Sequence, residues 1–382
     1  MFHTSVIEIS KSALVNNLKF LSAQLGHTKI SSVVKGNAYG HGIEHFVPIA
    51  EECGINHFSV FSADEAWRVI KCAHNYPDIL IMGMLDDQQI GWAIENNIEF
   101  YVFDQERLQR AAIAAKKQGK KAKVHIELET GMNRTGFAFN QLGNTLDYIR
   151  ANSAYLDFSG FCTHFAGAES IANYFRIKNQ IKAFKKGIHQ LKKQDALPNI
   201  YHAACSAAAF RFKETRLQMA RIGIMQYGFW PSREVFIEYN SKIENKVDPL
   251  QRIITWKSRV MSIKSVKAGE FIGYGTSYLA QSDMTIAIVP VGYSHGFARS
   301  LSNSGRAIIR GNRVGVVGTI NMNALTVDIT GFEGIERGDE VVLIGDQADV
   351  SVSVSSFSEL SEQLNYELLV RLPSDIPRKI VD

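Results

Sequence analysis

Long apolar runs are missing from this 382-residue chain. No stretch of roughly 18 consecutive apolar residues occurs, so no membrane-spanning helix is expected. Charge of one sign is also scarce: the formal net charge is +4, too small to point to a nucleic-acid partner. The densest basic cluster, Lys116, Lys117, Lys120, Lys121 and Lys123, reads as a solvated helix end and turn. Cysteine is rare. Cys53, Cys72, Cys162 and Cys205 show no C-x-x-C spacing, so free thiols in a reducing cytoplasm are the expectation. The opening segment MFHTSVIEIS lacks the basic and apolar stretches of a secretory signal. There is no low-complexity linker and no metal-ligand spacing that calls for a metal site.

What the chain does have is 46% hydrophobic and 21% charged residues, the balance of a soluble globular protein. Its length exceeds what one ordinary core accommodates, so two domains are expected. Up to about residue 230, β-rich runs alternate with helix-period segments: ISSVV (30–34), HFSVF (57–61), ILIMG (79–83), FYVF (100–103), VHIEL (124–128), FSGFCTH (158–164), IYHAA (200–204) and RIGIMQYG (221–228). Helical segments such as 63–73 and 105–118 lie between them; in the latter, Leu108, Ala111, Ala112 and Ala115 share one helix face. Eight β–α units predict an α/β fold, a (β/α)8 barrel over 1–240, with a doubly wound sheet as the competing arrangement.

Past residue 240 the pattern becomes β-rich and turn-separated, predicting a mostly β C-terminal domain over 241–382 with one helix near 355–365. Gly311-Asn312 and Gly338-Asp339 sit where hairpin turns would fall.

In a barrel of this kind, functional side chains gather at the carboxyl ends of the strands. Lys35 follows the first barrel strand and Arg134 lies in the loop after the fifth. His164 ends the sixth, His202 and Ser206 end the seventh, and Arg221 lies in the eighth. A lysine at the end of an apolar strand loses hydration, which lowers its pKa and prepares the amine for covalent chemistry.

The segment VVKGNAYGHG (33–42) resembles the cofactor-attachment signature of the alanine racemase family, enzymes that depend on pyridoxal 5'-phosphate (PLP). The resemblance continues through ETGMNRTGF (129–137), THFAGAE (163–169), HAACSAA (202–208), RIGIMQYGFWPS (221–232), GYGTSY (273–278), VPVGYSHG (289–296), VVGTINMNALTVDIT (316–330) and IPR (376–378). It implies a PLP-binding barrel followed by a β domain, an isomerase that interconverts the L and D forms of alanine, and a homodimer with shared active sites. D-alanine supply for cell-wall peptide is the biosynthetic role it implies; catabolic use is equally compatible.

The resemblance also implies residue roles. Lys35 would carry PLP and act as the base on one face of the substrate, and Tyr274 as the acid/base on the other, reaching in from the partner subunit. His164 and Arg221 would assist that tyrosine. Arg221 would face the pyridine nitrogen; offering only donors, it would keep that nitrogen an unprotonated acceptor. Tyr39, Ser206 and the backbone around Gly223 and Ile224 would hold the phosphate, with His202 supporting the ring or the phosphate site. Arg134 and Met322 would orient the substrate carboxylate, and Tyr293 would line the substrate pocket.

Four departures bear on the substrate. Glu127 stands where the family often has a lysine supporting the substrate-binding arginine, so its carboxylate is expected to pair with Arg134. Asn321 and Asn323 flank Met322 in place of the usual Cys and Asp. Ser374 replaces a tyrosine, and Cys205 a common Asn. The serine leaves room beyond a methyl group, so serine, lysine or arginine become alternative substrates. A non-catalytic PLP-binding protein is a further alternative, disfavoured by the second domain and Tyr274. Two short motifs point elsewhere. Gly292–Gly296 fits the G-x-S-x-G nucleophile elbow, but no histidine follows His295. His41–His45 fits H-x-x-E-H, but Gly42 interrupts the helix that pattern needs.

Overall fold

The first strand, β1 (Ser5–Ser10), alternates buried and half-buried side chains, with Ile7 and Ile9 fully inside. It pairs with strands from the far end of the chain. The next eight strands close on themselves. In the computed structural model, which describes residues 3–244, 246–354 and 365–382, these are β2 (Lys29–Val33), β3 (His57–Val60), β4 (Asp78–Ile81), β5 (Glu99–Val102), β6 (Ala122–Glu127), β7 (Leu156–Cys162), β8 (Ile200–Cys205) and β9 (Met219–Ile222). Every neighbouring pair is parallel, and β9 returns to β2, so the barrel is closed. The expected (β/α)8 architecture is therefore the one observed. The run 221–228 is shorter as a strand than its composition suggests: β9 stops at Ile222, and Ile224–Tyr227 form a 3-10 turn closed by Gly228 at φ +86°.

The helices around the barrel follow from local sequence. Gln105–Gln118 starts where the Asp104 carboxylate accepts the Arg107 N–H at 2.8 Å, and ends at Gly119 in the left-handed region. Its Leu108, Ala111, Ala112 and Ala115 are buried, and Lys116 and Lys117 occupy the last turn. On the helix-facing side of β7, Phe161 stacks on Phe184 of the helix Tyr174–Lys193, centroids 5.2 Å apart. Barrel interiors are usually filled by branched aliphatic residues; this one instead buries Ser31, Ser59, His57, His125, His202 and Arg221.

The second unit is a ten-stranded sheet in the order β11-β12-β15-β14-β13-β16-β10-β1-β18, with β17 on β16. Its strands are β10 (Ile254–Arg259), β11 (Ser262–Val266), β12 (Met284–Val289), β13 (Arg306–Ile309), β14 (Asn312–Val316), β15 (Leu325–Asp328), β16 (Glu340–Gln347), β17 (Val350–Val352) and β18 (Arg378–Val381). β1 lies antiparallel to β10 and parallel to β18. The compact units are thus interleaved in sequence. The sheet unit takes residues 1–12, 36–45 and 253–382; the barrel unit takes 13–35 and 46–252.

The hairpin between β13 and β14 turns on Arg310 and Gly311, both at positive φ (+49° and +74°), as a two-residue hairpin loop requires. Gly338-Asp339 is not a hairpin turn. The strand it opens, β16, pairs with β10 and β13 rather than with β15 before it. The Gly338 N–H donates to the Val260 carbonyl, and the Val260 N–H to that of Asp339. The helix expected near 355–365 falls almost wholly outside the described residues; Asn365–Val370 is helical.

Candidate active site

Lys35 leaves β2 at the barrel's carboxyl end, where the Val34 N–H still bonds the Ser59 carbonyl at 2.9 Å. Its side chain reaches solvent, yet enough protein surrounds it that desolvation lowers its pKa. The positive charges of Arg134 and, more weakly, Arg221 push the same way, against Glu65.

After Lys35 the backbone makes a left-handed turn. Gly36, Asn37, Ala38 and Tyr39 have φ of +63°, +56°, +53° and +52°. Non-glycine residues there cost about 1–2 kcal/mol each, so other contacts must hold the turn. His41 Nδ1 lies 2.9 Å from both the Ala38 and Tyr39 carbonyls. Burial pushes this imidazole down to about 4, so it is neutral and its Nδ1–H caps the turn. Arg378 donates Nη2 to the Gly40 carbonyl at 2.9 Å and further N–H groups to the carbonyls of Leu372, Pro373 and Ile376. The terminal IPR motif therefore clamps the glycine that follows the turn. Tyr39 is buried, its ring 5.9 Å from that of Tyr366. In HGIEH, His41 lies before the helix Ile43–Glu52 and His45 within it, so the two do not share a helix. No cluster of three or more metal-ligating side chains occurs among the described residues.

Within the barrel unit the structure brings Lys35, Arg134, His164, His202, Ser206, Arg221, Gly223 and Ile224 to the carboxyl end and the core just below it. Arg221 is buried and strongly anchored. Nη1 faces His202 Nδ1 and bonds the His202 carbonyl at 3.3 Å; Nη2 donates to the carbonyls of Thr163 (2.8 Å) and Ala203 (3.1 Å) and lies 3.5 Å from His164 Nδ1. Among the described residues its Nε–H makes no hydrogen bond, so one of the guanidinium's donors is not used within the chain. Burial, with the charges of Arg221, Arg134 and Lys35, pulls His164 down to about 3, so it is neutral at ordinary pH.

Ser206 does not cap the helix it begins: Ser206–Arg211 has Cys205 at its N-cap, with no side-chain cap bond. The Ser206 Oγ instead accepts the Gly223 N–H at 3.0 Å. That interaction occupies a lone pair and leaves the hydroxyl proton to donate, as a phosphate oxygen requires. Cys205 is a half-buried thiol that burial pushes up, which makes it a poor nucleophile.

Glu127 ends β6 and is buried; desolvation raises its pKa against the pull of Thr135, Arg221 and Arg134. It makes no direct ion pair with Arg134 among the described residues. Its Oε2 accepts the Thr135 hydroxyl at 2.7 Å, so it fixes the Arg134 loop one residue away. The reason is the path of the loop, which folds back so that the Phe137 N–H bonds the Glu127 carbonyl at 2.8 Å. Glu129 completes the anchoring: its carboxylate accepts the N–H groups of Gly131, Met132 (2.7 Å) and Asn133 (2.9 Å). Sequence reading missed Thr135, Glu129 and Arg378. The acid placed just before Thr-Gly in ETGMN was the available signal for Glu129.

In the sheet unit, the backbone at Tyr293 and Ser294 meets the backbone at Asn321 and Met322. The Tyr293 N–H bonds the Asn321 carbonyl and the Ser294 N–H bonds that of Met322, both at 3.0 Å. Gly292 permits this approach, since a Cβ there would lie 2.1 Å from the Asn321 oxygen. Asn323 donates to Ser294 Oγ at 3.0 Å, so it serves this backbone junction. The same junction occupies Ser294, whose Oγ donates to the Met322 carbonyl at 2.7 Å. Tyr274 sits between Gly273 and Gly275, both at positive φ, on a loop pinned by Thr319 Oγ1 on the Tyr274 carbonyl at 3.3 Å; its side chain is 74% exposed. Ser374 is exposed as well.

Two family models cover nearly all of the chain: "Alanine racemase, N-terminal domain" over residues 9–231 and "Alanine racemase, C-terminal domain" over 253–380. The chain belongs to the alanine racemase family. An alanine racemase of Leptospira interrogans is 32% identical over all of this chain and 96% of its own length. Alanine racemase 1 of Caldanaerobacter subterraneus is 33% identical over 97% of this chain and 93% of its own. Among solved structures, the alanine racemase of Streptomyces lavendulae superposes with a TM-score of 0.92 at 26% identity, covering 100% and 98% of the two chains. That of Clostridium difficile gives 0.90 at 30%, covering 100% and 96%. Relatives named for one isomerase thus span both units, and the chain is an amino-acid racemase of that type. No helix among the described residues is long and apolar enough to cross a membrane.

Proposed function

We propose that this chain interconverts L- and D-alanine with pyridoxal 5'-phosphate by a two-base mechanism. The reading rests on the donor set at the barrel's carboxyl end: an amine with lowered pKa, a buried guanidinium with one donor left over, and a serine hydroxyl oriented by a backbone N–H. These groups fit PLP. Lys35 would hold its aldehyde carbon, Arg221 Nε–H its pyridine nitrogen, and Ser206, with Tyr39 and the backbone at Gly223 and Ile224, its phosphate. When bound, the cofactor supplies an electron sink that makes an α-proton removable.

The chain's own groups govern where the proton goes. Lys35 Nζ, less protonated than an ordinary lysine, takes or returns the α-proton on one face. The Tyr274 hydroxyl does so on the opposite face, from the second copy of a homodimer; its exposure on a glycine-flanked loop suits a residue that works on a partner. Arg221 donates and cannot accept, so it holds the ring nitrogen unprotonated and limits side reactions that need a stronger electron sink. His164, neutral, contributes hydrogen bonding rather than charge. Arg134, on its anchored loop, pairs with the substrate carboxylate, assisted by the backbone at Met322, and Tyr293 lines the pocket. The role for His202 is to hold Arg221. Cysteines that form no disulfide among the described residues suit a cytoplasmic enzyme.

A second reading concerns the substrate's side chain. A small, exposed Ser374 supports tolerance of amino acids larger than alanine. The attachment point is tested by borohydride reduction of PLP-loaded protein and peptide mass mapping. The cofactor mass should sit on the peptide containing Lys35 and vanish in Lys35→Ala; label on another lysine would overturn the assignment.

A further inference from the structure

The buried groups in the barrel's interior form one continuous hydrogen-bonded chain. Arg221 Nη1 meets His202 Nδ1, and His202 Nε2 lies 2.8 Å from His125 Nδ1. His125 Nε2 is 3.0 Å from Glu99 Oε2, and His57 Nε2 reaches the same oxygen at 3.2 Å. His57 Nδ1 then meets Ser31 Oγ at 2.9 Å, and Ser31 Oγ meets Ser59 Oγ. His57, His125, His202, Ser31, Ser59 and Arg221 are all buried.

The direction of every proton in this chain can be worked out from its ends. Arg221 has only donors, so His202 Nδ1 must present a lone pair. The proton of His202 is then on Nε2, and His125 Nδ1 must accept it. The proton of His125 is therefore on its own Nε2 and points to Glu99. From the other side, the carboxylate accepts His57 Nε2–H, which leaves His57 Nδ1 to accept from Ser31, and Ser31 to accept from Ser59. Both arms point their protons at one oxygen. Burial alone would raise the Glu99 pKa, but His125 and His57 outweigh it and hold the carboxyl well below its usual range. Reversing His125 or His202 would set two N–H groups against each other at the next link, and reversing His57 would turn its Nε2 lone pair toward the Glu99 carboxylate, in a place where an unmatched polar pair is costly.

We propose that Glu99 is a positioning residue: as the common acceptor of both arms, it sets the histidine tautomers that let His202 receive and fix Arg221. Lying on β5, remote in sequence from every motif of the site, it would act on the reaction only through His125 and His202. Its effect on turnover rests on the reading that Arg221 serves the bound cofactor; the tautomer assignment does not.

The test has two arms. Neutron diffraction from deuterated crystals, with and without PLP, should place a deuteron on Nε2 and none on Nδ1 of His57, His125 and His202. A deuteron on Nδ1 of His125 or His202 would overturn the proposal, whatever the cofactor reading. The second arm compares Glu99→Met, which removes the acceptor, with Glu99→Gln, which can keep an oxygen there. In PLP-loaded enzyme, Glu99→Met should lower kcat by roughly ten- to a hundredfold, the usual effect of losing such a supporting partner, with KM changed less than about threefold. Glu99→Gln should recover most of that loss. Equal turnover in Glu99→Met and the native enzyme, or no recovery in Glu99→Gln, would refute the role. Should Glu99→Met fail to fold, the diffraction result and the Glu99→Gln rate still decide. Native enzyme inactive with every amino acid offered would instead count against the proposed function.

Discussion

Replacing Gly40 by alanine isolates the contact that holds the turn after Lys35. Gly40 has φ +81°, and a Cβ added there would lie 1.9 Å from the Leu369 carbonyl oxygen and 2.9 Å from its carbon. Real Cβ atoms essentially never approach closer than 3.0 Å, so the oxygen would have to retreat by about 1 Å. Leu369 belongs to the helix Asn365–Val370, and the Gly40 carbonyl is itself clamped by Arg378 at 2.9 Å. Neither side can yield without breaking hydrogen bonds. A left-handed alanine costs about 1–2 kcal/mol, and the forced separation adds about 2 kcal/mol or more, the range seen for overpacking. Gly26→Ala is the matched control: φ is +61° and nothing lies within 4 Å, so only the backbone cost of about 1–2 kcal/mol applies. With about 1.2 °C of melting temperature per kcal/mol for a chain this long, thermal unfolding should show a fall of about 4 °C or more for Gly40→Ala and about 1–2 °C for Gly26→Ala. Equal shifts would refute the steric argument and leave backbone conformation as the whole effect.

Histidine titration, the second base and the substrate's side chain each give a further test. His41 titrates at about 4 in the folded chain against 6.5 as its ordinary value. The unfolded chain therefore binds more protons between those limits, and stability falls as pH drops through that window, by on the order of 3 kcal/mol from this group; His164, at about 3, acts in the same direction. Denaturant titrations at pH 7 and pH 4 should show the loss, and equal midpoints would contradict it. Tyr274→Phe should lower racemisation by at least about a hundredfold, since acid–base groups contribute on that order, while leaving the visible band of the bound cofactor in place; near-native turnover would remove Tyr274 from the mechanism. A side-by-side panel of alanine, serine, lysine and arginine should find at least one larger amino acid within about a hundredfold of alanine, the discrimination a pocket gains from small size differences; alanine ahead by more than that over all three would reject the wider-pocket reading.

Much of the barrel was legible because its strands and helices carry strong local periodicity. Leu108, Ala111, Ala112 and Ala115 mark one helix face in the sequence and are buried together in the fold. The position of β1 was not legible. SVIEIS alternates as a half-buried strand does, but nothing local says that its partners lie some 250 and 370 residues away. The chain around Lys35 was readable as a motif, while its left-handed backbone and the Arg378 clamp depend on pairings between distant segments. The expected Glu127–Arg134 pair was chemically reasonable, yet Thr135 lies nearer once the loop folds back. Glu99 and His57 gave no signal at all. Each sits alone in a short apolar strand, and only barrel closure, which places β3, β5, β6 and β8 around one interior, brings them into line.

Proton transfer at the substrate's α-carbon can be watched on the reacting atom itself. L-alanine incubated in D2O with PLP-loaded enzyme is followed by proton NMR and chiral separation. D-alanine should form, its α-position should carry deuterium, and neither change should occur with Lys35→Ala. Retention of the α-proton with no D-alanine formed by the native enzyme, or undiminished exchange in Lys35→Ala, would contradict a racemase built on this lysine.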